Sequence, residues 1–86
     1  MTSEQQNQIL TETAQIISDL FGVEAESLSL DTHRDSISGW DSLQHVNLIL
    51  DVEQHFSVHI AESQVASIQT IRDLVSAIHS AQINQT

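Results

Sequence analysis

The stretch Gly39-Trp40-Asp41-Ser42-Leu43-Gln44-His45-Val46-Asn47-Leu48-Ile49-Leu50-Asp51-Val52-Glu53 decides the fold. Its first residues are poor helix formers, and from Ser42 onward it contains no glycine, no proline and no strand-like alternation. Asp41 or Ser42 is a natural N-cap, because a short side-chain oxygen can accept one of the unpaired N–H groups of a first helical turn. A helix is therefore expected from Ser42 to Phe56. Its apolar residues Leu43, Val46, Leu48, Ile49, Leu50, Val52 and Phe56 cover an arc of roughly 200°, wider than the stripe of roughly 100° that a core-facing helix needs. Part of that arc is expected to stay uncovered, with Gln44, Asn47, Asp51 and Gln54 forming the polar sector and Val46 and Leu50 on the side that also carries Ser42.

Upstream, Leu10, Thr13, Ile16, Ile17, Leu20 and Phe21 recur at helical spacing. This first helix is expected to start near Ser3, with Glu4 in its first turn, and to stop at Gly22. Val23 to Trp40 is polar and sparsely apolar, an ordered loop with Leu28, Leu30 and Ile37 as anchors. A loop longer than about 12 to 15 residues is uncommon in a small domain, so this one implies a functional connection or a concealed helical turn. Downstream, Ala61 to Ala66 is long enough for one or two helical turns. Thr70-Ile71-Arg72-Asp73 resembles a capping box with Asp in place of Glu, and it opens a final helix through Leu74, Val75, Ile78 and Ile83. The tail Asn84-Gln85-Thr86 is expected to fray. The expected fold is all-α: a small four-helix bundle with a long loop between helices one and two and a short third helix, in a single domain over residues 1–86 with its core at about 3–83.

The 86 residues, 40% of them hydrophobic, have room for one modest core. So small a domain is ill suited to a deep catalytic cleft, which favours binding or carriage. Twelve Asp and Glu stand against Arg34 and Arg72 alone, for a net charge of −10. Nucleic acid and anionic membranes would repel such a chain, whereas basic patches on partner proteins would attract it. The absence of cysteine excludes disulfides and thiolate metal sites. The polar stretch Met1 to Gln8 has neither a basic nor an apolar signal region, and no apolar run approaches the roughly 20 residues of a membrane span, so a cytoplasmic location is expected.

Ser42 lacks the Gly-x-Ser-x-Gly elbow, and no Asp or Lys is spaced to complete a triad, so it is a poor nucleophile. A hydroxyl at a helix N-terminus beside a loop is instead well placed for modification, and a phosphodiester there would be favoured by the helix dipole. Asp41 and Ser42 can also be read simply as capping residues. The context distinguishes the two readings: Gly39-Trp40 before, the helix after, the chain length and the acid excess.

On Asp41-Ser42-Leu43 and this context, the chain resembles acyl carrier and peptidyl carrier proteins from its first helix to Ile78. The resemblance implies that a phosphopantetheinyl transferase uses coenzyme A and magnesium to attach 4′-phosphopantetheine to Ser42. Acyl, aminoacyl or hydroxyacyl groups would then ride on the arm as thioesters, at high effective concentration for successive enzymes. Ser42 would be an anchor and the chain a monomeric carrier with no catalytic activity. Asp41 would help transferase recognition, and Leu43 would pack to hold the helix start. Typical fatty-acid carriers show several acidic residues on this helix, whereas here Gln44, His45 and Asn47 stand in its first turns. This implies a specialised pathway, such as polyketide, amino-acid-tethering or surface-polysaccharide synthesis, with acyl-transferring, ligase or synthase partners reading Val46, Leu50 and Glu53. The rival reading is an unmodified acidic helical interaction domain with the same fold.

Trp40 reads as a packing anchor. Among the five histidines, His55 and His59 straddle a helix end, which disfavours a shared metal, and none is expected. His45, one turn past Ser42, is read as a solvated surface residue whose protonation would change the charge beside the arm.

Overall fold

The computed structural model describes residues 2–84. Among them are four α-helices: α1, Ser3–Phe21; α2, Ser42–Phe56; α3, Glu62–Ser67; and α4, Ile71–Asn84. The expected all-α bundle with a long first loop and a short third helix is what forms. The third helix starts and ends one residue later than its apolar pattern suggests. Asn84 is the last residue of α4; Gln85 and Thr86, also expected to fray, lie outside the described residues.

The three long helices are bounded by local chemistry. At the start of α1 the Gln5 N–H donates to Thr2 Oγ1 (3.2 Å) and the Thr2 N–H to Gln5 Oε1 (3.0 Å), a reciprocal capping box. The helix stops at Gly22, whose φ of 72° lets its N–H reach the Ser18 carbonyl without a side-chain clash. α2 ends on Ser57, also left-handed (φ 55°), and the Val58 N–H then bonds the Glu53 carbonyl at 3.1 Å. α4 opens as its sequence predicts. The Asp73 N–H donates to Thr70 Oγ1 (3.3 Å), and Asp73 Oδ2 accepts from the N–H groups of Thr70 (3.2 Å) and Gln69 (2.9 Å).

The core lies where the three long helices meet. Ile17 of α1, Leu48 and Val52 of α2, and Ile71, Leu74, Val75 and Ile78 of α4 are fully buried, joined by Ile60 and Ile68 on either side of α3. α1 packs on both α2 and α4, and α3 on α4. Each fully buried Leu or Ile contributes about 1.5–3 kcal/mol, which in a cysteine-free chain makes packing the main source of stability. Ile83 lies within α4 as expected and is 61% exposed, because the last turn of the helix runs past the core.

The long loop is ordered, and its concealed structure is two 3₁₀ turns, Ala25–Ser27 and Arg34–Ser36. Ile37 is buried, while Leu28 and Leu30 are partly buried against the core. Between the 3₁₀ turns the backbone runs antiparallel to the link before α4. The Arg34 N–H donates to the Gln69 carbonyl (2.9 Å), the Ile71 N–H to the Thr32 carbonyl (3.0 Å) and the Arg72 N–H to the Leu30 carbonyl (2.9 Å). Arg72 Nη2 adds an ion pair to Asp31 at 2.8 Å. The loop is thereby held by α4 before it delivers the chain to α2.

Two stability predictions follow from these contacts. Thr13 is completely buried on α1, and its hydroxyl has no partner among the described residues. Thr13→Val removes that unsatisfied group at nearly constant shape and is expected to stabilise the fold by about 1 kcal/mol, read from the urea midpoint. The second concerns Asp73, whose carboxyl is held below the ordinary value of 3.8 chiefly by the Gln69 N–H; partial burial opposes this, while the bonds from Thr70 and the charge of Arg72 add to it. A carboxyl depressed by folding stabilises fully above its unfolded value and loses that contribution as the pH falls through its folded value. Asp73→Asn is therefore expected to be less stable than the native chain at pH 7, with the gap closing below pH 3.8 in parallel urea titrations.

Candidate functional site

The site is built where the loop meets α2. Gly39, at φ 92°, turns the backbone so that the Asp41 N–H bonds the Gly39 carbonyl at 3.0 Å. Asp41 is the N-cap: its Oδ1 accepts from the Gln44 N–H at 2.9 Å, and its carbonyl accepts from the His45 N–H at 2.8 Å. Ser42 is the first helical residue and is exposed. Its own N–H and that of Leu43 belong to the first turn, whose donors a helix cannot satisfy internally.

The side chains of α2 separate into two faces. Leu48, Ile49 and Val52 enter the core, whereas Leu43 (72% exposed), Val46 (52%) and Leu50 (51%) form an uncovered apolar strip continuing from Ser42. This bears out the wide apolar arc but corrects the role given to Leu43, which packs against nothing that would hold the helix start. Glu53 does not belong to the strip. Its carboxylate is largely covered, accepts from the Ile60 N–H at 2.8 Å and lies 3.1 Å from His59 Nδ1, so it braces the turn after α2.

His45 is the larger correction. It is buried, not solvated, at 8% exposure. The Trp40 indole N–H donates to His45 Nδ1 at 2.9 Å, and His45 Nε2 lies 2.9 Å from the Val65 carbonyl on α3. An indole N–H can only donate and a carbonyl can only accept, so the ring is the neutral tautomer with its proton on Nε2. Phe21, Trp40 and His45 stack in series, with ring centroids 5.3 and 6.0 Å apart. Trp40 is thus the packing anchor expected, with a polar handle that engages His45. The spacing contained the signal: His45, Leu48, Ile49 and Val52 form an i, i+3, i+4, i+7 stripe, which places the histidine on the buried face.

The remaining histidines do not converge. His55 Nε2 lies 2.9 Å from Glu12 Oε1, tying α2 to α1, while His59 lies beyond the helix end on Glu53. Among the described residues no group of three or more potential metal ligands comes together, and no helix is long and apolar enough to cross a membrane.

Beside Ser42 is a recess of about 240 Å³ lined by Arg34, Asp35, Trp40, Asp41, Ser42 and His45. That is smaller than the roughly 300 Å³ at which small-molecule pockets begin, and its lining is mostly polar. Sequence reading had no means of finding Arg34, which comes from the loop and shares no helical period with α2.

The bundle presents an exposed serine at the mouth of α2. The family model for the phosphopantetheine attachment site matches residues 12–78. The chain is 32% identical over 80 residues to an acyl carrier protein of Exiguobacterium sibiricum, covering 93% of this chain and 98% of that one. It is 30% identical over 71 residues to an acyl carrier protein of Cyanidium caldarium, covering 83% of each. The fold superposes on the acyl carrier protein of Thermotoga maritima with a TM-score of 0.84 at 16% identity over the whole of both chains. On that of Enterococcus faecalis the TM-score is 0.73 at 26% identity, over 88% of this chain and 96% of that one.

The chain belongs to the acyl carrier protein family. It is a carrier and not a catalyst, and its cofactor is covalently attached 4′-phosphopantetheine. The residues around the α2 mouth fit such a group: Ser42, whose hydroxyl is exposed, and Arg34, a cation, line one recess at the start of the helix, beside Asp35 and Asp41.

His45→Leu keeps the bulk of the ring but strands the Trp40 N–H and leaves the Val65 carbonyl with only its 3.4 Å bond from the Ile68 N–H. Its expected cost is about 2 kcal/mol, since each polar group left unpaired in a partly buried site is worth about 1–3 kcal/mol. Urea unfolding measures the loss. The fluorescence of Trp40, the single tryptophan, is expected to change with it.

Proposed function

We propose that Ser42 is the attachment point of the arm and that the chain carries acyl, aminoacyl or hydroxyacyl intermediates in a specialised biosynthetic pathway. The observation that carries this reading is the exposed Ser42 opening α2 behind the Asp41 cap, within the residues matched by the attachment-site family. When bound, the arm supplies a terminal thiol that holds cargo as a thioester.

The protein's own residues then have separate roles. Ser42 Oγ provides the covalent anchor. Asp41 fixes the backbone of the first turn, so the hydroxyl projects from a rigid helix end where a transferase can reach it. Trp40 and His45 tie that helix end to α1 and α3. Leu43, Val46 and Leu50 form the apolar centre of the surface that partner enzymes cover, within a strongly acidic chain whose field steers basic patches toward it.

The specialised assignment is supported by what borders that strip. Gln44 and Asn47 are joined to each other by a 2.7 Å hydrogen bond, and His45 is turned inward, so the first two turns of α2 carry no carboxylate after Asp41. Enzymes that read a row of acids would find little here, whereas dedicated partners can read an apolar strip bordered by amides.

Incubation with coenzyme A, magnesium and a phosphopantetheinyl transferase is expected to add the mass of one phosphopantetheine to the native chain and none to Ser42→Ala. Intact-protein mass spectrometry decides it. Absence of the added mass with several transferases, or its persistence in Ser42→Ala, contradicts the assignment. The loaded protein is further expected to be a poor substrate, by kcat/KM, for the condensing enzymes of bulk fatty-acid synthesis.

A further inference from the structure

The protein has two cations, Arg34 and Arg72, among twelve carboxylates. Arg72 is paired with Asp31. Arg34 enters none of the ion pairs among the described residues, although Asp35 and Asp41 line the same recess. Its backbone is fixed at both polar groups: the N–H donates to the Gln69 carbonyl (2.9 Å), and the carbonyl accepts from the Ile37 N–H (3.1 Å). Arg34, on an anchored 3₁₀ turn and without a carboxylate partner in a chain of charge −10, thus lines the recess that contains Ser42.

We propose that Arg34 is the counter-ion of the phosphodiester that the arm brings to Ser42, and that the recess is the seat of that phosphate. This rests on Ser42 being the attachment point. A phosphodiester carries one negative charge, and the other charged groups of the recess are acidic. Asp41 has one oxygen committed to the Gln44 N–H, and Asp35 is 83% exposed and lies 3.6 Å from His33 Nδ1. His45 is neutral, because its Nδ1 accepts from Trp40. Arg34 is therefore the one cation lining the recess, and without it the phosphate would share the space with two carboxylates. A guanidinium also offers two parallel N–H groups to two phosphate oxygens, a match a lysine makes only as a point charge. The recess is too small for the whole arm but has room for its phosphate, so the flexible remainder would leave toward solvent.

The test uses the isolated apo and holo proteins, with no transferase present, in four forms: native, Arg34→Gln, Arg34→Lys and Arg72→Gln. Urea unfolding gives the change in stability on loading for each, and phosphorus NMR reports the phosphodiester directly. Because the site is partly exposed, the expected coupling is modest. Loading is expected to favour the folded state by about twofold to fivefold more in the native chain than in Arg34→Gln, with Arg34→Lys between them and Arg72→Gln like the native chain. The phosphorus resonance of Arg34→Gln is expected to match that of the native protein in high salt. The inference is overturned if loading and the resonance are the same in Arg34→Gln as in the native chain, or if Arg72→Gln shifts both equally, which would assign the effect to net charge. A chain that accepts no arm at Ser42 overturns the attachment reading, and the inference with it; a loaded chain that shows no coupling overturns the inference alone.

Discussion

The relay from Trp40 through His45 to the Val65 carbonyl is the contact on which the presentation of Ser42 depends. A long, polar connection precedes α2, and such a segment gives a helix start no fixed position by itself. Two hydrogen bonds of 2.9 Å on one buried imidazole fix it, joining the end of the loop to α2 and α2 to α3. Phe21 stacks on Trp40 and carries the connection to α1. The imidazole can serve both partners only in one neutral tautomer, so a single ring holds three elements around the helix mouth. The backbone that carries Ser42 is thus tied to α1 and α3 through its neighbours.

The loop is held at its other end by a different device. Leu30, Thr32 and Arg34 exchange backbone hydrogen bonds with the link that opens α4, and Asp73 caps the N–H groups of that link on the opposite side. The same short segment therefore terminates α3, starts α4 and positions the loop. This economy lets one short segment hold a long irregular connection in place. It also leaves one face of α2 without a covering element, and the apolar strip of Leu43, Val46 and Leu50 lies there.

Much of this was legible in the sequence. The helix limits followed from Gly22, Asp41 and the Thr70–Asp73 box, because capping is local chemistry and local chemistry is written in adjacent residues. The division of α2 into a buried and an uncovered face followed from its overwide apolar arc. The tertiary hydrogen bonds were harder to read. Glu53 reads in the sequence as a partner contact, yet it braces the Ile60 N–H across the turn at a left-handed Ser57. His45 lies in the core stripe by spacing, although an imidazole reads by its chemistry as a surface group. Arg34 could not be placed beside Ser42 at all, since the loop that brings it there has no period.

The central claim is that this rigid helix mouth is an attachment point, and its most direct test is made on the protein purified from the cells that produce it. Proteolysis followed by fragment-ion mass spectrometry locates any covalent arm to a single residue. The account predicts phosphopantetheine on the peptide spanning Trp40 to Val46, with the fragment ions placing it on Ser42. An arm found on any other serine, or a native protein that is quantitatively unmodified at Ser42, would contradict it.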